Sequence, residues 1–167
     1  CFFNKLHINL VNFKLRHICV FSIKKLMKSK ENIVFLGMMG SGKTSIGSLV
    51  SKKLKLNFFD IDRQIENKLG MKISKIFETK GEKFFREFEE IMALKILKRS
   101  KIVISLGGGT FMNKKVRKEI LSNHLSFWLQ WDNETLVKRI KNSKKRPIAI
   151  QYSKDELLDL IKKRSSI

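Results

Sequence analysis

The pattern that most constrains the fold of this chain is the stretch GMMGSGKT at residues 37–44. It matches G-x-x-x-x-G-K-[ST] in full, and its surroundings fit the structure that this motif requires. The apolar run NIVFLG in front of it predicts a buried strand, while the residues after it repeat apolar side chains at helical spacing. Strand, glycine-rich loop and helix in this order predict a loop that binds the phosphates of a nucleoside triphosphate.

Each residue type in this loop has a chemical reason to be there. Glycines let consecutive backbone N–H groups point inward at phosphate oxygens, Lys43 reaches the terminal phosphates, and the Thr44 hydroxyl can ligate Mg²⁺. ATP and Mg²⁺ are therefore the predicted cofactors. Kinases, GTPases, helicases and ATPases share the motif, so it leaves the phosphoryl acceptor open. The predicted nucleotide contacts in the loop are Gly40, Ser41, Gly42, Lys43, Thr44 and Ser45.

Further along the chain, strand and helix patterns alternate. This alternation predicts an α/β fold with three layers, in which a parallel sheet is flanked by helices on both faces. The predicted strands after the loop are LNFF, KIVISL and LSFWLQ. One predicted helix begins near Asp62. Further helices are predicted from about Glu82 to Arg99, from Lys114 to Ser122, over DNETLVKRI with Asp132 or Asn133 as its cap, and over KDELLDLIKKR. Between the last two helices, the polar and basic loop KNSKKRPIAIQYS is long enough to be functional.

The first 30 residues differ in character from the rest of the chain. They hold basic side chains and no acid, and both cysteines lie among them. We predict a non-core basic extension over residues 1–30, with Met27 as the better natural start, and one domain over residues 31–167. A domain without cysteine indicates a cytoplasmic protein. The longest apolar run of the extension, ICVF, is too short to span a membrane.

The chain is strongly basic, with 36 Lys and Arg residues against 15 Asp and Glu residues and a net charge of +21. Such a charge is typical of proteins that bind nucleic acid. Here the lysines are scattered along every segment, which favours solvated lysine faces and suits an anionic small-molecule ligand equally well. We predict a monomer without nucleic-acid or membrane partners. A nucleic-acid-binding module is the alternative from a different functional class.

Two acidic residues follow the second predicted strand, in the stretch FFDIDRQIE. With Asp60 at the end of the strand and Asp62 at the start of the next helix, both lie at the carboxyl edge of the sheet, where open α/β folds bind ligands. One carboxylate can hold the hydrated Mg²⁺ while the other handles a substrate hydroxyl. The alternative, that Asp62 only caps the helix, stays open at this point.

The stretch GEKFFREFEE places Arg86 three residues before Glu89 on a predicted helix. This spacing suits a surface ion pair as well as the anion-binding part of a site. A third strand then ends in three glycines, Gly107 to Gly109, at the same edge of the sheet. A phosphate loop, two carboxylates, an arginine and a bare glycine backbone together predict a site for a small polar molecule beside a nucleotide. The predicted core stripe of the helix is Phe84, Phe85, Phe88, Ile91 and Met92.

Five stretches in this order resemble the shikimate kinase family, within the nucleoside monophosphate kinase-like P-loop proteins. They are GMMGSGKT, FFDIDRQIE, IFETKGEKFFREFE, ISLGGGTF and KKRPIA. The resemblance runs from about Asn32 to the end of the chain. It implies transfer of the γ-phosphoryl group of ATP to the 3-hydroxyl of shikimate, in the pathway to chorismate and the aromatic amino acids. It also implies a mobile lid at about residues 141–153.

The resemblance further implies a role for individual residues. Lys43, Asp62 and Arg146 match the family's catalytic groups, and the carboxylate matching Asp62 contacts the shikimate hydroxyls. Thr44 and Asp60 match the groups that hold hydrated Mg²⁺. The implied nucleotide contacts outside the loop are Arg139 and Arg146, and the implied shikimate contacts are Asp62, Arg86, Gly107, Gly108, Gly109 and Arg164, with Glu89 orienting Arg86.

One part of the chain departs from the family pattern. The residues RSSI replace the usual continuation after the arginine at position 164, and family members continue into a further strand and helix. We therefore expect a fold that is truncated at its C-terminus before the last strand and helix. Two further alternatives remain, a related small-molecule kinase such as gluconate kinase and a catalytically inactive truncated relative.

Overall fold

The computed structural model describes residues 5–9, 32–142 and 152–165. Within these residues the strands are β1 Lys5–Asn9, β2 Ile33–Leu36, β3 Asn57–Asp60, β4 Ile102–Ser105 and β5 Leu125–Gln130. They form one sheet in the order β1-β5-β2-β4-β3, and every neighbouring pair is parallel. The predicted α/β fold with a parallel sheet is confirmed. All strands therefore end at one edge, where loops can build a common site.

Strand β1 comes from the part of the chain that the sequence places outside the domain. Its residues pair with β5 from Lys5 opposite Ser126 to Asn9 opposite Gln130. The structure thus includes residues 5–9 of the predicted extension in the sheet. Without a neighbour, the outer edge of β5 would present unpaired backbone N–H and C=O groups, and the parallel strand supplies partners for them.

Six helices lie in the described residues. They are α1 Lys43–Leu54, α2 Ile61–Leu69, α3 Ile73–Leu97, α4 Lys114–Asn123, α5 Asn133–Lys141 and α6 Lys154–Ser165, and a single 3₁₀ turn spans Thr110–Met112. Asp132, one of the two predicted caps of α5, accepts a hydrogen bond from the backbone N–H of Thr135. No helix within the described ranges is long and apolar enough to cross a membrane.

Helix α3 is longer than the sequence predicts and contains a break. It begins at Ile73, whereas the sequence predicts a helix only from about Glu82. At Gly81 the backbone leaves the helical conformation, with φ 77° and ψ 170°, a region that essentially only glycine adopts. The break divides α3 into two segments, so that Glu82 begins the second one.

Two apolar clusters cover the two faces of the sheet. Along β2 the side chains alternate, so that Val34 and Leu36 pack with α2, α3 and α4 while Ile33 and Phe35 pack with α1. This alternation produces the three predicted layers. A third cluster joins α5 to α6 beside the loop that follows β2, and its fully described members include Met38, Leu136, Ile140, Leu157 and Ile161.

Candidate active site

The glycine-rich loop lies between β2 and α1, as the motif predicts. Gly37, Gly40 and Gly42 have φ angles of 133°, 85° and 91°, values in the left-handed region that side chains disfavour. These glycines let the chain curl around the end of the strand and enter the helix. The Lys43 ammonium donates hydrogen bonds to the carbonyl oxygens of Gly37 and Met38 at 2.8 and 2.9 Å, which holds it over the loop.

Ser41 supplies a test of whether this loop suits a phosphate group. Its side chain is buried, and among the described residues its Oγ has no hydrogen-bond partner. A buried hydroxyl of this kind costs stability unless something satisfies it. A phosphate oxygen is a suitable acceptor, and the ammonium of Lys43 and the N-terminus of α1 favour negative charge at the same place. The residues of the loop therefore fit the phosphates of ATP.

Arg139 lies beside the loop, although it comes from α5. Its guanidinium stacks over the ring of Trp131 at 4.5 Å, and its Nη2 lies 3.9 Å from where a β-carbon on Gly42 would be. Trp131 in turn donates a hydrogen bond from Nε1 to the Ser41 carbonyl at 3.0 Å. The structure thus brings Arg139 to the loop and adds Trp131, which the sequence does not single out.

Asp60 connects the loop to the end of β3. Its Oδ2 accepts a hydrogen bond from the Thr44 hydroxyl at 2.6 Å, and its Oδ1 accepts one from the backbone N–H of Arg63 at 3.2 Å. Asp60 is therefore the N-cap of α2, and the alternative that Asp62 caps this helix is wrong. In the described part of the chain no group of three or more His, Cys, Asp or Glu residues could hold a metal. Mg²⁺ beside Thr44 and Asp60 would take its other ligands from phosphate and water.

The first glycine of the triplet after β4 is surrounded by side chains of the site. A β-carbon on Gly107 would lie 2.6 Å from Glu89 Oε1 and 2.7 Å from both Asp62 Oδ1 and Thr110 Oγ1. Real β-carbons do not approach oxygens so closely, so only glycine leaves space for these three groups. The position of Asp62 next to Gly107 is the geometric feature that brings this carboxylate into the site.

The other two glycines contact different parts of the site. A β-carbon on Gly108 would lie 3.1 Å from the backbone nitrogen of Met39 in the phosphate loop, and one on Gly109 would lie 3.0 Å from Arg86 Nη1. None of the three glycines has a positive φ. Space, and not backbone conformation, therefore requires glycine here, because the phosphate loop, Asp62 and Arg86 all approach the same turn.

Gly107→Ala is expected to lower the free energy of unfolding by about 1–3 kcal/mol, because the methyl group would displace three packed oxygens. Gly109→Ala is the matched control. Its methyl group meets only the end of the flexible Arg86 side chain, so its effect should be smaller. Urea denaturation of both variants measures the difference, and equal effects would contradict this account of the turn.

Arg86 has two acidic partners on its own helix. Its Nη1 donates to Glu89 Oε2 at 2.8 Å, while Nε and Nη2 both donate to Glu82 Oε1 at 3.1 Å. Burial lowers the pKa of the Arg86 guanidinium, but the charges and hydrogen bonds of Glu89 and Glu82 outweigh burial and hold this pKa above its ordinary value. Glu89 is buried and also accepts a hydrogen bond from the Thr110 hydroxyl at 2.6 Å.

The buried stripe of α3 corrects part of the sequence prediction. Ile91, which the sequence places in the core, is 62% exposed, whereas the acid Glu89 is buried. The reason is that Arg86 and Thr110 satisfy the Glu89 carboxylate, so its burial carries no unpaired charge. The surface-only interpretation of the Arg86–Glu89 pair is therefore wrong. The remaining predicted stripe residues pack in the apolar cluster that contains Val34 and Leu36. Phe85 is buried there, and Phe84, Phe88 and Met92 are partly buried against it.

Arg164 on α6 also contacts the glycine turn. Its Nη1 donates to the Gly108 carbonyl at 3.3 Å. Burial, and after it the positive charge of Arg86, hold the pKa of Arg164 below its ordinary value. Arg164 lines a small cleft with Gly107, Gly108, Phe111 and Met112. The positive charges of Arg86 and Arg164 repel one another, and an anion bound to both guanidinium groups would relieve this repulsion.

The structure therefore gathers most of the predicted site residues at the carboxyl edge of the sheet. Ser45 lies exposed on α1. Arg146 and residues 143–151 of the predicted lid lie outside the described residues. Three further residues of the site, Glu82, Thr110 and Trp131, do not follow from the motifs. Only Glu82 carries a local signal, because it stands four residues before Arg86 on the same helix.

Comparisons with known proteins show which family the chain resembles. The family model for shikimate kinase matches residues 39–167. Shikimate kinase of Bartonella henselae is 35% identical over 156 residues, which cover 91% of this chain and 74% of that protein. The enzyme of Bacillus subtilis is 45% identical over 147 residues, which cover 83% and 75%.

A solved structure gives the same result. Shikimate kinase from Acinetobacter baumannii in complex with shikimate has a TM-score of 0.77 and 31% identity, covering 85% of this chain and 80% of that one. The family match over most of the chain and the relatives above 30% identity remove gluconate kinase as an alternative. This chain belongs to the shikimate kinase family.

Proposed function

We propose that this protein transfers the γ-phosphoryl group of ATP to the 3-hydroxyl of shikimate, giving shikimate 3-phosphate and ADP. The observation that carries the proposal is the glycine turn at residues 107–109. The phosphate loop, the carboxylate of Asp62 and the guanidinium of Arg86 all lie next to this turn. Their atoms are 3.1, 2.7 and 3.0 Å from the positions that β-carbons on its glycines would take. A donor of phosphoryl groups and a carboxylate-bearing acceptor would meet there.

On the donor side, the loop backbone and Lys43 would hold the terminal phosphates of ATP. The ammonium contacts two loop carbonyls, and it would stabilise charge that develops on the transferred group. Thr44 and Asp60 would hold Mg²⁺, which neutralises phosphate charge when bound. The hydrogen bond between the Thr44 hydroxyl and the Asp60 carboxylate, which brings these two oxygens together, supports this assignment.

On the acceptor side, Asp62 would accept the proton of the attacking 3-hydroxyl. Arg86 and Arg164 would bind the shikimate carboxylate, since a planar guanidinium matches a carboxylate better than a lysine does. Glu89 would fix the orientation of Arg86 from its buried position. Gly108 would offer its backbone N–H to a ring hydroxyl. These contacts would hold the hydroxyl in line with the phosphoryl group.

Residues near the lid complete the proposal. Arg139, stacked on Trp131 beside the loop, would contact the nucleotide, and Arg146 would fold over the phosphates and stabilise the transition state. Closure of a lid at about residues 141–153 would exclude water as a competing acceptor. A monomer that acts in the cytoplasm, without nucleic acid or membrane, stays a prediction of the sequence.

The test is ADP release by the full chain with ATP and Mg²⁺, measured with shikimate, with gluconate and with no acceptor. We expect release that depends on shikimate, and a product with the mass of shikimate 3-phosphate. Release with gluconate alone would overturn the proposed acceptor. Shikimate binding without any turnover would instead identify an inactive relative.

A further inference from the structure

The two acids that bind Arg86 lie in very different surroundings. The Glu89 side chain is 4% exposed and is held by Thr110 as well, whereas the Glu82 side chain is 67% exposed and its described hydrogen bonds are those to Arg86. A buried and doubly held carboxylate is a permanent part of the site. An exposed carboxylate in an ion pair at 3.1 Å exchanges easily with another anion.

Glu82 takes the side of the guanidinium that is best suited to a carboxylate. Its Oε1 accepts from Nε and Nη2 of Arg86, the pair of parallel N–H groups that binds carboxylates side-on. Glu89 uses the opposite nitrogen, Nη1. An incoming carboxylate therefore competes with Glu82 and not with Glu89 for the same positive edge.

The backbone allows Glu82 to leave. It follows Gly81, where α3 breaks, and a β-carbon on Gly81 would have no neighbour within 4 Å. The side chain thus stands at the start of a helical segment in open surroundings, where it can turn into solvent without disturbing the core. The negative charge of Glu82 also acts on Arg164, so that it partly compensates both guanidinium groups.

We infer that Glu82 is an internal competitor that occupies Arg86 until the carboxylate of the substrate replaces it. This inference rests on the proposed function, because it assigns the substrate carboxylate to Arg86. While no substrate is bound, Glu82 limits the repulsion between the two arginines. When shikimate binds, its carboxylate replaces that of Glu82 on Arg86. Breaking the ion pair between Glu82 and Arg86 therefore reduces the net binding free energy of shikimate.

The test compares Glu82→Gln with the unmodified protein in steady-state kinetics and in calorimetric binding of shikimate. We expect KM and Kd for shikimate to fall about two- to fivefold, the range of an exposed ion pair, with kcat and KM for ATP unchanged. The inhibition constant of acetate should fall by a similar factor. The uncharged methyl ester of shikimate should bind both proteins equally, because it cannot compete for the arginine as an anion.

Two further variants separate the effect of the direct bond between Glu82 and Arg86 from the effect of negative charge in general. Glu82→Asp keeps the charge but is too short for the bond, so it should behave like Glu82→Gln. Glu87→Gln removes one exposed negative charge from the same helix and should change nothing. An unchanged or higher KM for shikimate in Glu82→Gln would overturn the inference while leaving the proposed function intact. An unmodified protein that neither binds nor phosphorylates shikimate would overturn both.

Discussion

Lys43→Met is expected to reduce kcat for shikimate phosphorylation by about 10²–10³-fold or more, the range seen when one preorganised charge is removed from a transition state. Methionine keeps the length and the apolar part of the side chain but cannot carry charge. The reason is the position of the ammonium, which two loop carbonyls hold at 2.8 and 2.9 Å over the phosphate site. Coupled measurement of ADP release gives kcat and KM for both substrates.

The matched control is Lys53→Met, which removes an exposed lysine from the same helix. It should leave kcat unchanged. Because Lys43 also satisfies two carbonyl groups, thermal unfolding of the variant must show that the fold persists. A folded Lys43→Met protein with normal turnover would show that this loop does not bind the transferred phosphate.

Asp62→Asn is expected to reduce kcat by about 10²–10⁴-fold, the range for general acid–base catalysis, with little change in KM for ATP. Asparagine has nearly the same shape, so it should still fit beside Gly107, where Asp62 Oδ1 lies 2.7 Å from a β-carbon position. It loses the negative charge and with it the ability to accept the hydroxyl proton. Single-turnover kinetics at saturating ATP and shikimate measure the chemical step directly.

Asp155→Asn, at an exposed position in the first turn of α6, is the control for the loss of one carboxylate. Its kcat should match that of the unmodified protein. If Asp62→Asn instead keeps kcat and only raises KM for shikimate, then Asp62 binds the substrate without accepting its proton.

The parts of the fold that can be predicted from the sequence are those that depend on residues close together in the chain. The phosphate loop depends on glycines at positive φ next to Lys43, and these residues are contiguous. Strands β2, β4 and β5 coincide with short apolar runs bounded by polar residues or glycine. Their sequence patterns are sufficient to predict these strands, because each pattern depends only on residues that are neighbours in the chain.

The contacts within the site have a different origin. The burial of Glu89 depends on Thr110, which is remote in sequence, and an acid on a helix otherwise indicates a solvated face. Trp131 follows β5, which lies next to β2 in the sheet, and it reaches the Ser41 carbonyl although the two residues are 90 positions apart in the sequence. No spacing rule connects such residues, so only the folded chain reveals that they belong to the site.

The place of β1 in the sheet has a consequence for the order in which the protein is assembled. Of the strands described, β1 is the first to be synthesised, yet its partner residues begin at Ser126. At translation rates of about 5–20 residues per second, this strand waits on the order of ten seconds before its neighbour exists. The nucleotide-binding half of the sheet can therefore form on the ribosome before the edge strand docks. The closure of so long a loop costs little free energy beyond that of a shorter one, so its main effect is delay.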